Sequence, residues 1–263
     1  MPAPQASRHT DDVQGHWLLA RLGKRVLRPG GAALTDSLLT RARLSDVDVV
    51  ELAPGLGRTA RRILQWTPRS YVGVDRDAEA LAAVREVVGD RGTAVVADAS
   101  ATGLPDASAD VVVGEAMLTM QGDKTKHAIV AEAARVLRPG GRYAIHELAL
   151  TPDELPDEVA TDIRRALARA IKVNSRPLTV AEWRRLLEEH HLVIDSVVRA
   201  PMSLLEPRRL VADEGPGGAA RFVRNLLTDA DTRRRVLAMR KTFRTHRRSL
   251  MAVAVVAHRP DTP

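Results

Sequence analysis

The stretch "VVELAPGLGRTARRIL", residues 49–64, decides how this chain folds. An apolar run reaches an acid at Glu51, a turn with Gly55 and Gly57 follows, and a helix-like apolar spacing begins directly after it. That order predicts a buried strand that passes through a tight glycine turn into a helix. Such junctions are typical of folds that hold a nucleotide-like ligand against the turn, because glycine lets a ligand approach the backbone.

Strands and helices alternate from this stretch onward. Strands are predicted at 46–53, 70–75, 93–98, 109–116 and 142–150, and helices at 57–66, 78–88 and 124–137. The strands are apolar throughout, so they belong to a mostly parallel sheet that helices cover on both faces. We therefore predict an α/β fold with a Rossmann-like, doubly wound sheet of about seven strands.

The flanking segments predict further helices and two late strands. Helical spacing or helix signals are found at 12–28, 33–43, 158–172, after a capping box at 179–182, and within 203–248. Residues 192–198 and 250–258 have the composition of strands. A long helical insertion separates these two strands, which predicts an antiparallel pair at one edge of the sheet, with an antiparallel last strand and a helical cap.

Composition excludes several classes of site and partner. The 263 residues include no cysteine, which excludes disulfides, thiolate zinc sites and cysteine nucleophiles.

No apolar run could span a bilayer and the N-terminus lacks the core of a signal peptide, so we expect a cytoplasmic protein without a membrane span. A formal net charge of +7 suggests nucleic acid, but aromatic residues make up only 3% of the chain and leave little for base stacking. Nucleic acid is therefore not the expected partner, and a homodimer stays open.

A basic segment at 232–250 is the densest positive stretch of the chain. Its apolar positions fall mostly on one helical side, which favours a solvated amphipathic helix. An acidic ligand, a membrane surface or a nucleic acid stays open as an alternative partner.

Acidic residues end the successive predicted strands, where parallel sheets of this kind bind their ligands. They are Glu51, Asp75, Asp98, Glu115 and, beside His146, Glu147. A glycine pattern of this spacing also fits a dinucleotide site, whereas an acid four residues before the turn suits a ligand ammonium. An acid at 98 suits an adenine amino group, so the residues leave a dinucleotide and S-adenosylmethionine as the two candidates.

Motifs of the predicted core favour one of these two candidate ligands, because they match a known protein family. "VVELAPGLG", "YVGVD", "VVADAS", "ADVVVGEAM" and "RVLRPGGRYAI" match successive motifs of one family. In these motifs the chain resembles class I S-adenosylmethionine-dependent methyltransferases, in the small-molecule branch that includes ubiquinone- and arsenite-type enzymes and type 11-like domains. The resemblance covers 46–150 well and 179–200 loosely. It departs at Ala53, where the family often has glycine.

The resemblance implies S-adenosylmethionine as the cofactor and a set of residues that bind it. The glycine turn would hold the methionine part, Glu51 the ammonium, Asp75 the ribose hydroxyls and Asp98 the adenine edge. The full set is Glu51, Ala53, Pro54, Gly55, Gly57, Asp75, Arg76, Asp98, Ala99, Glu115 and Met117.

The same resemblance implies one domain over 1–263 with three functional parts. Lid helices would occupy 1–45, the cofactor-binding core 46–150, and two substrate-cap insertions 151–178 and 201–248. The expected reaction moves a methyl group to oxygen, nitrogen or carbon of a small or medium organic acceptor. A non-catalytic cofactor-binding or regulatory protein and an RNA methyltransferase are the alternatives.

The catalytic candidates are His146, Glu115 and Glu147. His146 is the predicted base because its pKa lies nearest to neutrality, although a structural histidine beneath a loop is an equal alternative. His16 is a second candidate base, and Trp17 beside it a candidate lid contact. A metal is not expected, since the carboxylate and amide set that Mg²⁺ uses in some relatives is incomplete here.

Overall fold

The structure is a computed structural model that describes residues 13–261. One mixed sheet runs through it in the order β3-β2-β1-β4-β5-β8-β7, and the short strand β6 pairs with β5 outside this row. The strands are β1 Asp48–Leu52, β2 Ser70–Asp75, β3 Thr93–Val96, β4 Ala109–Glu115, β5 Leu137–Leu150, β6 Leu178–Thr179, β7 Val193–Pro201 and β8 Leu250–His258. The predicted doubly wound α/β fold is confirmed, with one more strand than expected because β6 adds a two-residue pairing.

The helices flank this sheet on both sides. Along the chain they are α1 Gly15–Arg21, α2 Gly31–Ala42, α3 Arg58–Ile63, α4 Ala78–Val88, α5 Asp123–Val136, α6 Asp157–Ile171, α7 Val180–Glu188, α8 Pro207–Thr228 and α9 Ala230–Thr245. None of these helices within 13–261 is both long and apolar enough to cross a membrane.

The winding of the sheet reverses at β1, which determines where a ligand can bind. β1 pairs in parallel with β2 on one side and with β4 on the other, so Val49 faces Tyr71 and Val111 in the two neighbours. The connections on the two sides lead away from each other and leave a crevice at the carboxyl ends of these strands.

The strands do not alternate between polar and apolar residues, because both faces of the sheet are packed against apolar side chains. Val50 and Leu52 belong to a core cluster that includes Trp183, while Val49 belongs to a second cluster with Leu38 on the opposite face. Successive strand residues point to opposite faces, and both faces are covered, so most positions inside the strands are apolar. A third cluster lies under the cap helices.

The late strands form the predicted antiparallel edge. β8 is antiparallel to β5 over Arg142–Leu150 and antiparallel to β7 on its other side. The helical insertion between β7 and β8 is α8 followed by α9, and the backbone of Gly215 interrupts α8 with φ of 74°. The prediction of an antiparallel last strand is confirmed.

The helix predicted over 12–28 is wrong beyond Arg21, where α1 ends; residue 12 itself lies outside the described part of the chain. The segment after it is irregular because distant carboxylates replace the helical hydrogen bonds. Glu214 Oε1 in α8 accepts from the backbone N–H groups of Arg25 and Val26, at 2.8 and 2.7 Å. Apolar spacing alone could not reveal these contacts, which join residues nearly 190 positions apart.

The capping box of α7 provides a test of local stability. Thr179 Oγ1 accepts from the Glu182 N–H at 3.2 Å, and the Glu182 carboxylate accepts from the Thr179 N–H at 2.7 Å. We expect Thr179→Ala to lower the free energy of unfolding by about 1 kcal/mol in urea denaturation. Thr40→Ala, which removes an exposed hydroxyl from inside α2, should change it by less than about 0.5 kcal/mol. Equal effects of the two substitutions would contradict a capping role for Thr179.

Candidate functional site

A cavity of about 750 Å³ lies at the carboxyl ends of β1, β2 and β4, beneath residues of α1, α6 and α9. One part is lined by the turn after β1 and by the loops after β2, β3 and β4. The other part is lined by apolar side chains of the helices. Helices of the cap therefore cover part of the crevice that the winding of the sheet creates.

The turn after β1 has a left-handed backbone at three alternate residues. The φ angles of Ala53, Gly55 and Gly57 are 52°, 55° and 68°. A side chain at Gly57 would place a Cβ 3.1 Å from the Val87 side chain, so the packing also favours glycine there. Ala53 adopts this conformation at a cost of about 1 kcal/mol. The result is a stretch of backbone exposed to the cavity.

Asp75 lies at the end of β2, half-buried on the cavity wall. Its Oδ1 accepts from the Asp77 N–H at 3.0 Å. Burial raises the pKa of this carboxyl, and hydrogen bonds from the backbone N–H groups of Asp77 and Gly55 oppose that effect. The exposed neighbour Arg76 lines the same wall.

The loop after β3 brings Asp98 and Ala99 to this wall. Asp98 Oδ1 accepts from the N–H and the hydroxyl of Ser100, at 2.8 and 2.6 Å. These hydrogen bonds lower the pKa of Asp98, so the exposed carboxylate is ionised. Met117, after β4, completes this part of the cavity.

Glu51 is brought close to this cavity but is not part of its wall. Its side chain is buried, and Oε2 accepts a hydrogen bond of 2.7 Å from the Tyr71 hydroxyl. Burial raises the pKa of the carboxyl to about 8, against the effects of the Tyr71 hydrogen bond and of Arg28. The contact of Glu51 with a ligand ammonium, which the resemblance implies, stays a prediction.

Glu115 ends β4 in the centre of a buried polar network. Its carboxylate accepts from Arg28 Nε at 2.6 Å, from the Thr35 hydroxyl at 2.6 Å and from the Thr59 hydroxyl. Burial by itself would raise the pKa of Glu115, but Arg28, His146 and Thr35 outweigh it and lower the pKa well below its usual range. Glu115 is therefore an ionised anchor whose oxygens are already bonded.

His146 is fully buried and does not line the cavity. Its Nδ1 lies 2.9 Å from Glu115 Oε1, and the Gly30 N–H donates to its Nε2 at 3.1 Å. Both ring nitrogens are therefore engaged, with the proton on Nδ1. This geometry argues against the role of a general base that we predicted for His146 and matches the alternative of a structural histidine.

Glu147 points away from His146, because successive strand residues face opposite sides. Its carboxylate accepts from the backbone N–H groups of Met117, Leu118 and Thr119 at 2.9, 2.8 and 3.1 Å, and from the Thr119 hydroxyl at 2.6 Å. Burial outweighs these bonds and raises the pKa of Glu147. The side chain positions the loop after β4, which differs from the catalytic role that we predicted.

His146 contacts Glu115, whereas Glu147 lies on the opposite face of the sheet. In the part of the chain that the structure describes, no three histidine or acidic side chains come close enough together to hold an ion.

His16 of α1, which is the second candidate base, lines the cavity. It is half-buried, its ring lies 4.8 Å from the Trp17 ring, and neither of its nitrogens has a hydrogen-bond partner among residues 13–261. Burial lowers its pKa to about 4, so the imidazole is neutral near pH 7. The sequence signal was the short "GHW" run at 15–17.

The helical part of the cavity is largely apolar. Its lining includes Trp17, Leu167, Ile171, Val173, Met202, Leu204, Met239 and Phe243. These side chains come from α1, α6, α9 and two loops, so only the folded cap assembles them. Arg28 and Arg58 face the cavity nearer the glycine turn and were not predicted as site residues.

Glu51 allows a test by pH. A raised pKa means that the folded state keeps a proton that the unfolded state loses, so the contribution of Glu51 to stability is lost as pH rises from 4.5 to about 8. We expect the unfolding free energy of Glu51→Gln, relative to wild type, to rise by about 4 kcal/mol across this range. Urea denaturation at both ends measures it, with the exposed Asp90→Asn as control. A difference that does not change with pH would show that Glu51 is not shifted.

The chain is similar in sequence to known proteins. A family model described as a methyltransferase domain matches residues 50–145. A Haemophilus influenzae protein described as uncharacterized is 34% identical over 254 residues, which cover 94% of this chain and 99% of that protein.

Solved structures share the fold at low sequence identity. A protein of Bacillus halodurans described as a candidate methyltransferase is 15% identical, with a TM-score of 0.65 over 87% of this chain and 100% of that one. A phosphoethanolamine N-methyltransferase of Haemonchus contortus, in complex with S-adenosylmethionine, is 16% identical, with a TM-score of 0.70 over 94% of this chain and 57% of that one.

The family model extends from the first strand through the centre of the sheet, whereas the Haemophilus influenzae protein matches nearly the whole chain. Use of S-adenosylmethionine is implied by the family. The chain belongs to the class I S-adenosylmethionine-dependent methyltransferases.

Proposed function

We propose that this enzyme transfers the methyl group of S-adenosylmethionine to a largely apolar organic acceptor of small or medium size. One observation carries the proposal: a single cavity joins the polar loops at the strand ends to an apolar wall beneath the cap. Methyl transfer needs the two reactants in line and shielded from water, and a shared cavity that the cap partly covers favours both conditions.

The polar part of the cavity fits the cofactor. The left-handed turn at Ala53–Gly57 leaves backbone open for the methionine part, and α3 begins there with free N–H groups. Asp75 would accept from the ribose hydroxyls, and Asp98 with Ala99 would contact the adenine edge. When bound, S-adenosylmethionine supplies an electrophilic methyl group on its sulfonium.

Arg28 has a place in this proposal that the sequence did not indicate. Its guanidinium lines the cavity near the glycine turn while its Nε is held by Glu115 at 2.6 Å. A fixed guanidinium suits the cofactor carboxylate. Glu115 would then orient Arg28, with Thr59 beside it, and make no contact with the acceptor.

The apolar part would hold the acceptor. In the predicted functional parts of the chain, the segment before β1 closes over the core at 46–150. The insertions 151–178 and 201–248 add α6 and α9 to the wall of the cavity. Leu167, Met239 and Phe243 leave few polar partners there, which favours a mostly apolar organic molecule over a nucleic acid.

His16 is the base in this proposal, in place of His146. A neutral imidazole without a hydrogen-bond partner in the described structure is free to accept a proton from an acceptor hydroxyl or amine. Acceptors that lose no proton would need only the alignment that the cavity provides.

Isothermal titration with S-adenosylmethionine, S-adenosylhomocysteine and NAD⁺ tests the cofactor assignment. We expect both sulfur compounds to bind and NAD⁺ not to bind. Asp75→Ala should weaken binding by about 10- to 100-fold, because two hydrogen bonds to a charged group are lost.

The exposed Asp90 provides a matched control, since Asp90→Ala removes the same charge at the end of α4. Equal losses in the two variants, or binding of NAD⁺ alone, would contradict the assignment of Asp75 to the cofactor ribose.

His16 is tested in a screen of phenol, amine and carbon acceptors with methyl-labelled S-adenosylmethionine. For an acceptor that loses a proton, we expect His16→Ala to lower kcat by about 100-fold while the affinity for the cofactor stays the same. The exposed His191→Ala should leave both unchanged. An unchanged kcat in His16→Ala would show that His16 only packs against Trp17.

A further inference from the structure

A second cavity, of about 550 Å³, lies between α5, α6, α7 and the loop 172–178. Its charged lining includes more cations than acids: Lys126, Arg164, Arg165, Arg176 and Arg185 against Asp123, Glu182 and Glu189. Nothing in the methyl-transfer site uses these side chains.

Most acidic side chains of this cavity already form ion pairs or hydrogen bonds within the protein. Asp123 lies 3.1 Å from Lys126 Nζ and 3.5 Å from Arg176. The carboxylate of Glu182 closes the capping box of α7. Arg185, in contrast, is exposed and makes no side-chain hydrogen bond or ion pair with any residue that the structure describes. Arg164 lies 3.9 Å from Glu182 and Arg165 lies 3.7 Å from Asp162, so Arg185 is the lining cation that lacks an acidic partner among the described residues.

Two buried polar groups on its wall have unused donors. The Lys126 side chain is only 1% exposed, and its ammonium has three N–H donors but a single described partner, Asp123. The Ser175 hydroxyl is buried and has no partner at all within 13–261. Buried donors without acceptors are costly, so both groups suit a ligand that brings acceptor oxygens.

The loop 172–178 separates this cavity from the methyl-transfer cavity. Val173 and Ser175 line the first cavity, and Ser175 and Arg176 line the second. The Arg176 N–H donates to the Thr119 carbonyl at 2.7 Å, and Thr119 belongs to the loop that Glu147 holds. A ligand in the second cavity would therefore contact the wall of the first.

We propose that the second cavity is an anion site for a phosphate or carboxylate group. Lys126 and Ser175 donate to its oxygens from within the wall, and Arg185 neutralises it at the mouth. The anionic group is either the charged end of an acceptor that spans both cavities or a separate small anion. The site does not depend on the proposed choice of acceptor.

Titration of the wild-type chain with inorganic phosphate tests the proposal. We expect one phosphate to bind, with affinity reduced by about tenfold in Lys126→Met and also in Arg185→Ala. Arg185 is exposed, so its substitution reports on the site even where Lys126→Met affects folding. Arg58→Ala, which removes a cation from the first cavity, and the exposed Arg244→Ala on α9 should bind phosphate like wild type.

Absence of phosphate binding overturns the proposal, and so does a loss of affinity in Arg58→Ala that the second-cavity variants do not show. These readouts need no cofactor, so they are independent of the titrations that test methyl transfer.

Octyl phosphate then distinguishes the two sources of the anion. Binding at least about tenfold tighter than inorganic phosphate, with the gain lost in Leu204→Gln of the first cavity, assigns the anion to a ligand that spans both cavities. Equal affinities of the two phosphates assign the site to a separate small anion.

Discussion

The buried carboxylate of Glu115 is the contact on which the site depends. It accepts hydrogen bonds from the segment before α2, from α2, from α3 and from β5. A carboxylate removed from water costs several kcal/mol unless it is paired, so these four segments must come together around it for the fold to be stable. The position of the N-terminal segment over the sheet follows from this requirement.

A second buried charge cluster attaches the same segment to the cap. Lys24 is fully buried, 3.7 Å from Asp213 and 3.8 Å from Glu214 of α8, while Asp213 also accepts from the Ala32 N–H. The irregular segment 22–30 therefore bridges the sheet, through Glu115, and the cap, through α8. Polar contacts therefore fix this segment to the sheet and to the cap, on either side of the methyl-transfer cavity. Apolar side chains line much of the cavity between them.

The strands and helices of the central α/β unit could be predicted from the sequence, because the residues that determine their bounds lie within or next to each element. The helix 78–88 was predicted with its observed bounds, since Asp77 caps its start and Gly89 ends it. The irregular backbone of 22–28 could not be predicted from the sequence. Apolar spacing continues past Arg21, and the carboxylates that bind this segment lie far along the chain, in α8. Likewise, strand alternation showed that His146 and Glu147 face opposite sides, but their partners, Gly30 and the backbone at 117–119, are distant in sequence.

The order of the strands has a consequence for synthesis. β8 lies between β5 and β7 and pairs with both, so β7 has no partner in the sheet until residues 250–258 have been made. During translation β5 keeps an open edge next to a nearly complete parallel core, and an open edge can pair with other chains. The cap helices α8 and α9, which are made in this interval, would delay closure of the sheet. The sheet of this methyltransferase can therefore be completed only after residues 250–258 have been made.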